Sequence, residues 1–131
     1  MIDQIKEYPH LIVGAFIFNE KHELFMVKAP KWQNKYVVPG GHVEVGETME
    51  AALLREIKEE TNMEIRDIEL MSTTEVPDLS GKTEVCQHMV FINYYARFRG
   101  DDKKIKLNDE GTKFKWQSVE KWLKDRKKIG M

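Results

Sequence analysis

The hydrophobic residues of this chain are concentrated in short runs, which are separated by polar segments containing glycine or proline. Apolar runs rich in β-branched and aromatic residues are typical of strands, and alternation of apolar with polar positions indicates one buried face. Strands are therefore predicted over Leu11–Phe18, Leu24–Val27, Tyr36–Val38, Met63–Thr73, Val85–Phe98 and the segment containing Phe114 and Trp116. In the longest of these, the alternate residues on one side are Val90, Ile92, Tyr94 and Ala96.

Two other segments, 48–61 and 118–126, show the spacing of apolar residues that is typical of amphipathic helices. Thr48 is a suitable N-cap for the first of them, because its hydroxyl can accept a hydrogen bond from the first turn. The residues predicted to face the core are Leu53, Leu54 and Ile57 in the first helix, and Val119 and Trp122 in the second. Because strands lie on both sides of the first helix, the pattern predicts a layered α+β domain.

The first predicted helix carries three carboxylates near its C-terminal end. Glu59 and Glu60 follow Glu56 by three and four residues, so all three fall within an arc of roughly 100°. Like charges at this spacing repel one another, and the helix dipole also disfavours negative charge at a C-terminus. A divalent cation would remove both costs, and ligands that are all oxygen favour Mg²⁺ or Mn²⁺. The alternative, considered on these three residues alone, is an ordinary solvated helix face.

The neighbouring residues favour the metal site. Pro39-Gly40-Gly41 lies just before the helix, and glycine allows a backbone to approach a ligand closely. Arg55 lies off both the apolar and the acidic stripes, from where it can reach back to Glu47 as a bidentate partner. An exposed ion pair is the alternative for these two residues.

The segment Gly41–Met63 resembles the Nudix box, whose pattern is G-x5-E-x7-R-E-U-x-E-E-x-G-U, with U a bulky aliphatic residue. The fixed positions that match without a gap are Gly41, Glu47, Arg55, Glu56, Ile57, Glu59, Glu60 and Met63. Asn62 stands where the pattern has its last glycine, and asparagine is the residue that next best tolerates a left-handed helix end. The resemblance covers nearly the whole chain. It implies an α+β Nudix fold with a mixed, curved sheet sandwiched between helices.

The same resemblance implies hydrolysis of a nucleoside diphosphate linked to another group, X, with Mg²⁺ or Mn²⁺ as cofactor. It implies that Glu56, Glu59 and Glu60 are metal ligands, to which the carbonyl of Gly40 is added. Either Glu56 or Glu59 would also orient or deprotonate the attacking water.

Two further roles follow from the resemblance. Glu47 and Arg55 are expected to act in catalysis as a pair that fixes the loop against the helix. Many family members add an acidic ligand from a later loop, and here Glu110 in the segment Asn108–Glu110 is the candidate. A solvated acidic turn is the alternative for that segment.

Substrate-binding residues are sought close to the box. Lys28 ends the second predicted strand and can meet a phosphate, with a surface lysine as the alternative. Trp32 is followed by Gln33 and Asn34, and an aromatic ring beside amide groups can stack on a base and bind its edge. Packing at the rim of the domain is the competing role for Trp32.

Composition limits the class of protein. With 131 residues, 41% hydrophobic and 33% charged, the chain is predicted to form one globular domain. The resemblance implies that this is a single Nudix domain over residues 1–131, with a core over about 9–127. A net charge of −1 argues against nucleic acid and membranes as partners, and a small nucleotide is expected instead.

The one cysteine, Cys86, is expected to be a small buried residue in a cytoplasmic protein. His42 and His88 have no partner at metal-ligand spacing and are expected to be structural. A monomer or a homodimer is expected.

The short domain leaves no room for the additional domains found in family members that act on sugar nucleotides or capped RNA. The segment Lys106–Glu110, followed by Trp116, resembles the small nucleoside-triphosphatase branch of the family. We therefore expect a nucleoside triphosphate to be cleaved to the monophosphate and pyrophosphate. An ADP-ribose or dinucleoside pyrophosphatase is the alternative within the family. A non-catalytic Nudix-fold nucleotide sensor is the alternative from another class, although such domains usually lose the box carboxylates that this chain keeps.

Overall fold

The protein is described by a computed structural model that covers residues 8–77 and 88–130. These residues form seven strands and two helices. In chain order they are β1 (His10–Phe18), β2 (Leu24–Ala29), β3 (Lys35–Val37), β4 (Gly40–His42), α1 (Met49–Thr61), β5 (Arg66–Val76), β6 (Met89–Arg97), β7 (Lys113–Gln117) and α2 (Val119–Lys124).

All seven strands belong to one mixed sheet, in which β1 is central. Strands are ordered β3-β2-β1-β6-β5, with β4 paired to β1 and β7 paired to β2. β1 and β6 run parallel over their whole length, whereas the other pairs are antiparallel. On its other edge β1 pairs with β2 at Phe18 and with β4 over Ile12–Gly14, so this edge divides between two partners. The division brings Gly40 and Gly41 of β4 beside the middle of the sheet.

The two faces of the sheet carry two separate cores. On one face, α1 packs Leu53 and Ile57 against buried residues of β1, β2 and β6. On the other face, α2 packs Trp122 against Leu24, Met26 and Tyr36. The indole N–H of Trp122 also donates to the carbonyl oxygen of Leu24 at 3.0 Å, which satisfies its polar atom inside an apolar environment. The sheet therefore lies between helices, as predicted.

Most predicted elements are confirmed, with differences at their ends. The fifth strand begins at Arg66 rather than Met63, because Met63 and Ile65 are buried as the link that leaves α1. The second helix ends at Lys124 and is followed by a 3-10 turn over Arg126–Lys128. The sixth strand begins at Met89; residues 85–87, and with them Cys86, lie outside the described part of the chain. No helix in residues 8–77 and 88–130 is long and apolar enough to cross a membrane.

Two predicted core residues are wrong. Leu54 and Val119 are each 42% exposed, whereas Leu53, Ile57 and Trp122 are buried as expected. The buried row of α1 runs through Leu53 and Ile57 at a spacing of four residues, and Leu54 is rotated about 100° away from Leu53. Val119 is the first residue of its helix, and Trp122 is the residue of that helix that is buried.

Both ends of α1 follow from local chemistry. The hydroxyl of Thr48 accepts a hydrogen bond from the backbone N–H of Ala51 at 3.1 Å, which confirms the predicted N-cap. At the other end Asn62 adopts the left-handed conformation, with φ 61°, and its backbone N–H donates to the carbonyl oxygen of Lys58. The side-chain amide of Asn62 adds a hydrogen bond to the carbonyl oxygen of Lys104 at 2.9 Å. That contact joins the end of α1 to a segment far along the chain.

We expect Asn62→Gly to change the free energy of unfolding by less than about 1 kcal/mol, because glycine relieves the positive φ but loses the bond to Lys104. Asn62→Val should destabilise by about 2 kcal/mol or more, since a β-branched residue resists this conformation and forms no such bond. Urea unfolding followed by tryptophan fluorescence measures both. Equal stability of the valine variant and the natural protein would contradict this account of the helix end.

Candidate active site

A cleft of about 970 Å³ is lined by residues from the C-terminal part of α1, from β4 and from the sheet. Its sheet residues include Phe16, which lies on the face against which α2 packs. Glu56 and Glu60 of α1 line one end of it, together with Glu110. Glu59 is not among the lining residues, and its side chain is 55% exposed. On a helix Glu60 lies about 40° from Glu56 and about 100° from Glu59, so the first two share a direction that Glu59 does not. The acidic face predicted from sequence is thus divided between cleft and solvent.

Glu60 lies in an environment that disfavours its charged form. Burial raises the pKa of Glu60 to about 8, and the nearby charges of Glu110 and Glu56 add to this rise. The backbone N–H of Gly40 donates to the carboxylate of Glu60 at 3.4 Å and partly offsets it. Burial likewise raises the pKa of Glu56. Three carboxylates therefore line this end of the cleft, and the pKa of two of them is raised.

The loop that carries Glu110 is held against the C-terminal end of α1. The backbone N–H of Lys106 donates to the carbonyl of Thr61 at 3.0 Å, and that of Asn108 donates to the carbonyl of Glu60 at 3.2 Å. These carbonyls have no partner within the helix, because the last turn of any helix leaves its carbonyls unpaired. The side chain of Asn108 then accepts from the backbone N–H of Glu110 at 3.0 Å, which shapes the turn.

The two glycines before the box helix are required by close contacts. A methyl group on Gly41 would overlap the carboxylate of Glu56, and one on Gly40 would overlap the backbone of Val13 in β1. Neither glycine has a positive φ. Their role is therefore the close approach of β4 both to the sheet and to α1, and not an unusual backbone conformation.

Arg55 joins the loop, β4 and the helix. Its guanidinium donates to both carboxylate oxygens of Glu47, at 2.7 and 2.9 Å, which confirms the predicted bidentate contact. It also donates to the carbonyl of His42 at 3.1 Å, and to Glu56 at 2.9 Å. These hydrogen bonds lower the pKa of Glu47 to about 2 and raise the pKa of Arg55. A lysine has no planar guanidinium group with several N–H donors in fixed directions, so it could not bind all these partners at once.

The donor set at this end of the cleft suits a hard divalent cation. Within residues 8–77 and 88–130, no three potential ligand side chains are gathered closely enough to hold an ion as they stand. Arg55 instead binds Glu56 and Glu59, at one oxygen of each carboxylate. The carboxylates are nevertheless crowded enough to raise the pKa of Glu60, and a cation would offset that repulsion. Oxygen ligands of this kind fit Mg²⁺ or Mn²⁺.

The rest of the cleft is lined largely by apolar residues. Trp32 lines it, with an exposed fraction of 41%, and so does the neighbouring Lys31. Lys28, Gln33 and Asn34, which were predicted to contact substrate, are not among the lining residues. Gln33 and Asn34 form a tight turn in which both have a positive φ, and the backbone carbonyl of Lys28 accepts from Thr112.

Several residues that line the cleft carried no clear signal in the sequence. They are Gly14 on β1, Met71, Ser72, Thr74 and Val76 on β5, and Phe91 and Asn93 on β6. The only hint was a polar residue, Asn93, inside the apolar run of the sixth strand. Sequence reasoning also missed a contact of His42, whose Nε2 lies 3.0 Å from Nδ1 of His10. His88 lies 3.9 Å from Glu75.

Comparisons with known proteins identify the family. A family model described as NUDIX domain matches residues 8–130. An RNA pyrophosphohydrolase from Hydrogenovibrio crunogenus is 31% identical over 122 residues, covering 85% of this chain and 73% of that protein. An ADP-ribose pyrophosphatase from Methanocaldococcus jannaschii is 32% identical over 87 residues, covering 65% of this chain and 50% of that protein. Nudix hydrolase 5 from Arabidopsis thaliana is 28% identical over 116 residues, which are 85% of this chain.

Solved structures agree on the fold. The MutT protein from Methanosarcina mazei Go1 has a TM-score of 0.71 at 26% identity, covering 91% of this chain and 84% of that chain. The chain belongs to the Nudix family, and its α+β fold, with a mixed sheet between helices, is the one predicted from the box. It spans only 37% of the length of Nudix hydrolase 5, and 50% of that of the ADP-ribose pyrophosphatase.

Proposed function

We propose that this protein is a Mg²⁺- or Mn²⁺-dependent hydrolase that cleaves a nucleoside triphosphate to the monophosphate and pyrophosphate. One observation supports this above the others: a single cleft is lined by three carboxylates, by an aromatic ring and by an extensive apolar surface. Such a cleft matches a molecule that has a polyphosphate at one end and a flat base at the other. Its volume of about 970 Å³ is large enough for a whole nucleotide.

In this proposal Glu56, Glu60 and Glu110 hold the cation, with the carbonyl of Gly40 as a further ligand. Glu59 would join them only after leaving Arg55 and turning from solvent towards the cleft. When bound, the cation supplies charge that offsets the phosphates and lowers the pKa of a coordinated water. The oxygen of water attacks one phosphorus, the bond from that phosphorus to the bridging oxygen breaks, and pyrophosphate leaves with that oxygen. Glu56 lines the cleft and Glu59 does not, so Glu56 is the better placed to take the proton of the water.

The barrier to this reaction is mainly electrostatic, because a dense anion repels a nucleophile and gains charge on its leaving oxygens. Arg55 contributes indirectly, since it holds Glu56 and fixes the loop that carries Glu47. We therefore assign Arg55 and Glu47 a positioning role.

A panel of nucleotides incubated with Mg²⁺ tests the proposed function. Pyrophosphate and phosphate release are measured separately for nucleoside triphosphates, ADP-ribose and dinucleoside polyphosphates. We expect pyrophosphate and a nucleoside monophosphate from the triphosphates, and no turnover when EDTA removes the cation. Release of inorganic phosphate from triphosphates would contradict the proposed bond cleavage.

ADP-ribose hydrolysis is the second candidate, supported by the name of the Methanocaldococcus jannaschii relative. It predicts AMP and ribose 5-phosphate from ADP-ribose in the same panel. A nucleotide sensor without catalysis is opposed by the retention of Glu56, Glu59, Glu60 and Arg55. Turnover of any nucleotide would exclude the sensor.

Trp32→Ala is expected to raise KM for a nucleoside triphosphate by roughly 5- to 150-fold, as expected for loss of stacking on one base. The kcat should change little, because stacking stabilises the bound substrate and the transition state alike. Steady-state kinetics on the folded variant measure both constants. Tyr95→Ala is the matched control, since Tyr95 is 44% exposed and does not line the cleft. If the KM of Trp32→Ala equals that of the unsubstituted protein, Trp32 packs at the rim of the domain and does not bind the base.

A further inference from the structure

Asn93 is a polar side chain among the largely apolar residues that line the cleft. Asn93 is on β6, between β1 and β5, and it points to the same face of the sheet as Phe91. Its register partner on β1 is Gly14, and its partner on β5 is Ser72. Asn93 is half-buried, and the proposed reaction at the carboxylate end does not use it.

The two ends of this amide have different surroundings. Its nitrogen, Nδ2, donates to the hydroxyl of Ser72 at 3.2 Å and to that of Thr74 at 3.0 Å. An amide nitrogen has two hydrogens, so these bonds use its whole donor capacity. Both partners belong to β5, and the nitrogen of the amide lies towards that strand. Among the described residues, no donor forms a hydrogen bond with the oxygen, Oδ1.

Gly14 leaves space beside that oxygen. A methyl group placed on Gly14 would lie 4.0 Å from Oδ1 of Asn93 and 3.6 Å from the side chain of Val38, both ordinary van der Waals distances. The glycine is therefore not required by a clash or by a positive φ. It leaves the acceptor oxygen of Asn93 without a neighbouring side chain on the β1 side.

We propose that Asn93 determines base specificity by accepting a hydrogen bond from an exocyclic amino group of the nucleobase. The inference rests on the proposed nucleotide hydrolysis and refines it. Ser72 and Thr74 position the amide, because their hydroxyls accept from Nδ2 on the β5 side and Oδ1 lies on the side of Gly14. A base that presents a carbonyl oxygen to Oδ1 would place two acceptors together, which loses the hydrogen bond and leaves both atoms unsatisfied.

The test compares nucleotide pairs that differ by one amino group: ATP with purine riboside triphosphate, GTP with inosine triphosphate, and CTP with its 4-deamino analogue. For the pair containing the best substrate, we expect kcat/KM to fall roughly 3- to 10-fold on loss of the amino group, as for one neutral hydrogen bond. In Asn93→Leu this ratio should fall to about 1, because leucine has no acceptor. Calorimetry on the same pairs gives the ratio of their dissociation constants, which measures the preference for the amino group independently of turnover.

Two variants separate recognition from a general effect on the fold. Asn93→Asp keeps acceptor oxygens and should keep the preference for the amino base. Gly14→Ala has room for its methyl group, should fold, and should reduce the preference by covering Oδ1. Tyr95→Phe, on the same strand and face but outside the cleft, is the control that should leave the ratio unchanged.

An amino preference that persists in Asn93→Leu would overturn the assignment. A preference of the unsubstituted protein for the analogue that lacks the amino group would also overturn it, because the Asn93 amide would then face the base with its nitrogen. Failure of the proposed function has a different signature, which is absence of turnover with every nucleotide of the panel. Calorimetry would in that case still decide whether Asn93 selects the amino base.

Discussion

Replacing Glu60 by Gln is expected to lower kcat by about 100-fold or more while leaving the fold intact. The substitution keeps the shape of the side chain and its contact with the backbone N–H of Gly40, but it removes one charge from the proposed metal site. Glu60 is the carboxylate whose pKa is raised to about 8 by burial and by Glu110 and Glu56, so it is central to the converging charges. Steady-state kinetics at saturating Mg²⁺ measure the loss.

A second measurement distinguishes metal binding from a general effect. Mg²⁺ should raise the melting temperature of the natural protein, because a ligand that binds only the folded state stabilises it, and the rise should shrink in Glu60→Gln. Glu64→Gln is the matched control, because the side chain of Glu64 is 87% exposed and contacts Lys58 instead of the cleft. Unchanged turnover in Glu60→Gln would remove Glu60 from the metal site.

Arg55→Lys should reduce kcat/KM by roughly 10- to 100-fold, which is typical of residues that orient metal ligands. The positive charge is kept, but one ammonium cannot replace the fork that binds Glu47, Glu56 and the carbonyl of His42 together. If Arg55 positions Glu56, the concentration of Mg²⁺ needed for half-maximal activity should also rise. A role confined to fold stability would leave that concentration unchanged.

Arg66→Lys provides the comparison, since Arg66 is exposed on the edge strand β5 and does not line the cleft. It should change neither kcat/KM nor the Mg²⁺ requirement. Full activity of Arg55→Lys would show that the bidentate contact with Glu47 is an ordinary ion pair.

The sequence predicted well whatever depends on residues near one another along the chain. The N-cap at Thr48, the left-handed end at Asn62 and the Arg55–Glu47 contact are all confirmed. Their partners lie within one helix or the loop beside it, so spacing and intrinsic preference determine them. Strands were recognised for the same reason, although their ends shifted by a few residues.

The site roles of Glu56, Glu59, Glu60 and Glu110 stay predictions, but the structure shows why sequence could not rank them. Helical spacing alone grouped Glu59 with Glu56 and Glu60, whereas the packing of α1 turns Glu59 away from the cleft. Similarly, the aromatic and amide residues at 32–34 adjoin in sequence, yet only Trp32 lines the cleft. Adjacency along a turn does not give side chains a common direction.

By itself, then, the sequence determined the family, the order and kind of most elements but not the short strand β4, and the ends of the box helix. Only the tertiary structure decided which side chains share the cleft. Glu110 meets Glu60 because a distant loop binds the unpaired carbonyls at the end of α1. Asn93 lies beside Gly14 because β1 and β6, separated by most of the chain, pair in parallel with one register. Such contacts depend on the pairing of distant segments, which no local pattern specifies.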